Sequence, residues 1–189
     1  ILARERASGL SKNHGGLQAL ANPLVVYSTG QAHSSIAKAV QLAGFGNDNL
    51  RMIEEDPYTR AMLPGALASA IEEDLAAGRI PAGIVCSVGA TGTTAMDPVA
   101  AIAAIANRHG IWLHVDAALA GTAAILPEMR WIFDGLEYAD SLVFNPHKWM
   151  FTNFCRIYHY GKCSSSCNDY RKWKHNILFR RKCDLNGES

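Results

Sequence analysis

Four stretches of this chain bring together residue types able to do covalent or acid–base chemistry. They are Gln31-Ala32-His33-Ser34-Ser35, the Gly89-Ala90-Thr91-Gly92-Thr93-Thr94 loop, Asp116-Ala117-Ala118, and Asn145-Pro146-His147-Lys148-Trp149. Lys148 follows an apolar run and sits between an imidazole and an indole. A lysine held there loses hydration, which favours the neutral, nucleophilic amine that Schiff-base chemistry needs. The bland alternative is a lysine that snorkels to the surface. Asp116 closes the apolar run Trp112-Leu113-His114-Val115, where a carboxylate is expected to be buried and to need a permanently positive partner. A protonated pyridine nitrogen would serve, and so would a metal shared with His114, two residues back on the same strand face. A structural cap is the third reading. His33 could stack on a flat ligand or simply occupy a helix start, and the Gly/Thr loop offers amides and hydroxyls to a ring substituent or an anion.

These residues need elements that bring them to one place. Short β-branched runs precede each of them: Leu24-Val25-Val26-Tyr27, Ile84-Val85-Cys86-Ser87-Val88, Ile111-Trp112-Leu113-His114-Val115 and Ser141-Leu142-Val143-Phe144. Between the runs lie alanine-rich helical patterns. One spans about 35–43, with Gly44 as its stop, and one runs from Pro64 to Gly78. A third is expected to take Asp97 as N-cap and Pro98 as its first residue, ending at Gly110. Apolar strands alternating with helices predict an α/β fold, a mostly parallel sheet with helices on both faces. In such sheets ligands bind at the carboxyl ends of the strands, which is where all four stretches fall.

Taken together, the four motifs resemble the group II pyridoxal-phosphate-dependent decarboxylases, above all the aromatic-L-amino-acid decarboxylases. Pro127-Glu128-Met129-Arg130 and Glu137-Tyr138-Ala139-Asp140-Ser141 extend the resemblance, which covers about residues 3–154. It implies the large domain of a fold-type I enzyme, incomplete, with pyridoxal 5'-phosphate as cofactor and an amino acid, aromatic by analogy, as substrate. By the same resemblance Lys148 matches the lysine that forms the internal aldimine, and Asp116 the partner of the pyridinium nitrogen. His33 matches the imidazole stacked on the ring, with a further part in reprotonation, and Ala118 the residue on the opposite ring face. Thr91 falls where the family contacts the cofactor's oxygen substituent, and Asn145 and His147 match positions near the phosphate and the lysine. Lys148, His33 and Asp116 are thus the implied catalytic set. The family forms homodimers. The chain is expected to begin inside the large domain, without the dimer-clasping helices, the small domain or the loop bearing a catalytic tyrosine. Leu119 stands where the aromatic decarboxylases usually carry Tyr. An aldehyde synthase, an aminotransferase-like relative and an inactive fragment serving at most as a binding module are the alternatives.

Composition sets the remaining bounds. With 189 residues, 49% of them apolar, the chain is long enough for one well-cored domain. No apolar run is long enough for a membrane span and no leader is evident, so a cytoplasmic protein with no membrane partner is expected. Net charge is +1. Residues 1–154 hold 10 Lys and Arg against 14 Asp and Glu, whereas residues 155–189 hold 8 against 3. Four of the five cysteines lie in that second stretch. A partial cofactor-binding domain at 1–154 and an irregular or rearranged basic tail at 155–189 are therefore expected. His159, Cys163, Cys167 and His175 fit no common zinc spacing, and the basic tail reads as solvated rather than as a nucleic-acid surface.

Overall fold

The computed structural model describes residues 1–153 and the backbone of residues 158–161. Its centre is a sheet of strands β1 (Leu24–Ser28), β2 (Leu50–Met52), β3 (Ile80–Ser87), β4 (Trp112–Asp116), β5 (Ser141–Phe144) and β6 (Tyr158–Gly161). Their spatial order is β2-β1-β3-β4-β5-β6. All neighbours from β2 to β5 run parallel, and β6 joins β5 antiparallel. The four strands expected from sequence are present. β3 begins earlier than its apolar run, at Ile80, and takes in Pro81. A proline has no N–H to give the ladder, and the pairing of β1 with β3 shifts register there, between Val25 and Val26.

Helices cover both faces. These are α1 (Leu2–Ala7), α2 (Ser35–Leu42), α3 (Pro64–Ala76) and α4 (Val99–His109). Strand alternation sends Val25, Tyr27, Ile84, Cys86, Leu113 and Val115 towards Leu67, Ile71 and Ile102 of α3 and α4. The opposite face packs Leu24, Val26 and Ala82 against Val40 of α2, with Ala7 of α1 alongside. At Gly83 the sheet comes close to α1: a Cβ there would stand 3.5 Å from Ala3 Cβ.

Asp97 does not cap α4. Pro98 occupies the N-cap position, one residue later than expected, and no side chain caps the helix. The Asp97 carboxylate instead accepts the Met62 and Ser87 amides at 2.7 and 2.6 Å. It thereby ties the end of β3 to the segment that leads into α3. Tyr27, Asp74 and Arg51 form a second polar knot: the phenol donates to Asp74 Oδ2 at 2.8 Å, and Arg51 Nη1 donates to Oδ1 at 2.8 Å. Burial foremost, then the bond to Asp74, pushes the Tyr27 hydroxyl far above its ordinary range, so it remains a donor.

Candidate active site

Because β1, β3, β4 and β5 are parallel, their carboxyl ends share one rim, and every residue implicated by sequence lies on it. Asp116 ends β4. Lys148 comes one turn after β5, where its amide donates to Asn145 O at 3.0 Å. β4 and β5 are neighbours, with Asp116 opposite Val143 in register. Thr91 lies in the loop after β3, on the other side of β4, and His33 follows β1, one strand further out.

The backbone joins these ends tightly. Val88 N donates to Asp116 O at 2.8 Å, and Ala117 N to Val143 O at 2.9 Å. Gly89, at φ +79°, lets the β3 loop lie on the turn after β4: a Cβ on it would stand 2.4 Å from Ala120 Cβ. Gly121 is equally confined, its hypothetical Cβ 2.9 Å from Phe144 Cβ and 3.0 Å from Ala117 Cβ. Small residues here bring the ends of β3, β4 and β5 together.

Asp116 is half-buried, not fully buried as its strand suggested, because β4 stops there and the carboxylate emerges at the rim. Its Oδ1 accepts the Ala118 amide at 3.1 Å, which fixes the carboxylate over the following turn. Lys148 is also half-buried, and among the described residues neither it nor Asp116 makes an ion pair. Asn145 is buried, and its Oδ1 has no hydrogen-bond partner among the described residues. A buried acceptor left so costs about 1–3 kcal/mol, a cost that a bound donor removes.

His33 does not lie within the helix it precedes; α2 starts two residues later. Its ring takes over the capping task, since Ser35 N donates to His33 Nδ1 at 3.2 Å and the Ser35 hydroxyl lies 2.8 Å from the same nitrogen. An Nδ1 that accepts an amide proton leaves the imidazole proton on Nε2, so the exposed edge of the ring is a donor. Thr91 is exposed in a loop closed by Thr94 N to Ala90 O at 2.7 Å, and by Gly89 N and Ala90 N to Ala95 O at 3.0 Å. His147 and Ala118 are half-buried. A cleft of about 510 Å³ lined by Arg4, Lys12 and Gly16 lies elsewhere, away from this rim.

His114 belongs to a separate chain of hydrogen bonds. Trp112 Nε1 donates to Ser141 Oγ at 2.9 Å, and that hydroxyl lies 2.8 Å from His114 Nδ1. Among the described residues no group of three His, Cys, Asp or Glu side chains gathers as a metal site. Cys163, Cys167 and His175 of the weighed zinc set lie outside the described residues, as does the His159 side chain.

The family model described as "Pyridoxal-dependent decarboxylase conserved domain" matches residues 3–164. The chain belongs to this family. Among curated proteins it is 51% identical over 132 residues to phenylacetaldehyde synthase of Arabidopsis thaliana, covering 69% of this chain and 27% of that protein. It is 48% identical over 131 residues to tyrosine decarboxylase 2 of the same plant, covering 69% and 24%. Among solved structures, Oryza sativa TDC with PLP and tryptamine superposes with a TM-score of 0.75 at 40% identity, over 83% of this chain and 31% of that one. Mouse CSAD in apo form gives 0.82 at 31% identity, over 93% and 37%. The fold is that of the fold-type I decarboxylases. The chain spans about a quarter of the length of the curated relatives and about a third of these solved structures.

Sequence reasoning named the motif residues but passed over two that hold them in place. Asp97 precedes Pro98 and so carries the local pattern of a cap, which hides its bonds to the Met62 and Ser87 amides. Glu55 carries no local signal at all; its bond to Gln31 forms only when the segment after β2 folds over the rim.

Proposed function

We propose that this chain is the cofactor-binding part of an amino-acid decarboxylase that uses pyridoxal 5'-phosphate, with an aromatic amino acid as substrate. The observation that carries the reading is the pairing, on adjacent strand ends, of a half-buried lysine and a half-buried carboxylate that have no ion-pair partners among the described residues. The donor set suits that cofactor. Lys148 Nζ is the amine that would hold its aldehyde carbon, and the Asp116 carboxylate would keep a proton on its ring nitrogen. Ala118 would pack on one face of a flat ring, and His33 would present its Nε2–H edge, passing on that proton as Nδ1 takes one up from the Ser35 hydroxyl or solvent. Thr91 would donate to the oxygen substituent on the ring, Asn145 Oδ1 is an acceptor for a bound donor, and His147 flanks the lysine. When bound, the cofactor supplies the electron sink that makes loss of CO2 from an amino acid feasible. A homodimer in the cytoplasm is the assembly and location that accompany this reading.

Aldehyde formation is the second reading, favoured by the 51% identity to a phenylacetaldehyde synthase. The test is uptake of pyridoxal phosphate by the purified chain, followed by visible absorbance, with CO2, amine and aldehyde measured after adding phenylalanine, tyrosine or tryptophan. A visible band lost in Lys148→Ala supports the site, and amine rather than aldehyde supports decarboxylation. No band in the unmodified chain refutes a competent site and leaves the inactive-fragment reading.

A further inference from the structure

We propose that Gln31 is a positioning residue, whose side-chain amide clasps the loop carrying Thr91 to the loop carrying His33 and so sets the width of the rim between them. The inference deepens the reading above and rests on it for the meaning of His33 and Thr91. Gln31 stands two residues before His33, and Thr93 two residues after Thr91. Thr93 Oγ1 donates to Gln31 Oε1 at 2.9 Å, and Gln31 Nε2 donates to Glu55 Oε2 at 2.9 Å. Arg60 Nη2 reaches the same carboxylate oxygen at 3.0 Å.

Donor and acceptor chemistry leaves this chain one direction. Ionised Glu55 only accepts, so the amide NH2 of Gln31 must face it, and Oε1 must face the threonine hydroxyl, which then has to donate. Glu55 is well shielded, its side chain 11% exposed, and it lies over Gly30, where a Cβ would stand 3.1 Å from Glu55 Oε1. The clasp therefore ties three segments that are distant in sequence.

A second, independent observation shows why the loop needs a restraint. Thr94, next to the clasp, has φ +56°, a conformation that a β-branched residue adopts only under constraint. Its amide is spent on Ala90 O at 2.7 Å and its hydroxyl on Thr93 O at 2.6 Å. Arg60, at the far end of the clasp, is likewise left-handed, at φ +60°. A strained loop left unrestrained would relax, and Thr91 would move with it.

The experiment uses the 189-residue chain with Gln31→Leu, Thr93→Val, the double variant and Thr93→Ser. Amide hydrogen exchange is read over residues 30–35 and 89–95, and pyridoxal phosphate affinity by fluorescence titration. Either single change is expected to speed exchange in both loops by about fivefold or more and to weaken cofactor affinity about five- to tenfold. The double variant should be no worse than the worse single one, and Thr93→Ser should restore both readouts. Faster exchange confined to the substituted segment, additive losses, or a Thr93→Ser protein as impaired as Thr93→Val would overturn the clasp. If the unmodified chain takes up no pyridoxal phosphate, the functional reading fails, while the exchange measurements still decide whether Gln31 couples the loops.

Discussion

At the scale of single residues, Asp97 is the most heavily committed side chain near the rim. Burial pushes its carboxyl above the usual carboxylate range, against the opposing pull of the Ser87 and Met62 amides. Replacing it with alanine strips two buried N–H groups of their acceptor and also removes a desolvated charge, and the first effect is the larger. Asp97→Ala is expected to lose about 2 kcal/mol in urea unfolding at neutral pH, and an unchanged midpoint would contradict this role. Cys86 precedes Ser87, whose amide Asp97 accepts, and it is fully enclosed. Burial foremost, with the Asp97 and Asp116 carboxylates adding to it, holds its thiol well above the ordinary range. Iodoacetamide labelling of the native chain at pH 8, mapped by peptide mass spectrometry, should therefore leave Cys86 unmodified while denatured protein labels it.

At the scale of elements, much of the architecture was legible because its signals are local. β-branched runs and glycine stops mark β1, β3, β4, β5 and the helices between them, and burial on both sheet faces leaves little choice of partner for such strands. β2 escaped notice because three residues, Leu50–Met52, carry no periodicity and lie at the sheet edge. The segment after it escaped because its order comes from side chains reaching backbone. Asp56 Oδ1 accepts the Tyr58 and Thr59 amides at 2.9 and 2.7 Å and the Thr59 hydroxyl at 3.0 Å, building the turn that brings Met62 back beside Glu55. Those bonds, the Thr59 amide first, hold the Asp56 carboxyl below its ordinary value. A depressed carboxyl contributes stability that is present above the unfolded-state value and is lost as pH falls through the folded one. The turn should hold unchanged from pH 7 to 5 and loosen below about pH 4. Amide exchange at Tyr58 and Thr59, corrected for intrinsic pH dependence, is the measurement; equal protection at pH 3 and pH 6 would count against it. The candidate site was legible in the same uneven way. Lys148, Asp116 and His33 announce themselves by following apolar strands, whereas Glu55 does not, because its partner Gln31 lies 24 residues away.

At the scale of the whole molecule, the described surface is unevenly finished. Ile125, Leu126, Trp131 and Tyr138 all stand exposed along the irregular stretch between β4 and β5, and Trp149, Met150 and Phe151 do so directly after Lys148. Single exposed apolar residues are ordinary, but two runs of them, each close in sequence to the rim, are the kind of surface that associates in water. Hydrophobic association is non-directional and grows with protein concentration, so it should show as a mass that rises on concentrating the sample. The chain is therefore expected to sediment above its 20.5 kDa monomer mass and to shift further between dilute and concentrated samples. Trp131→Lys combined with Leu126→Lys should lower that average mass without altering the far-ultraviolet dichroism, since both side chains lie outside the core. A sharp monomer boundary at every concentration would overturn association through these two runs.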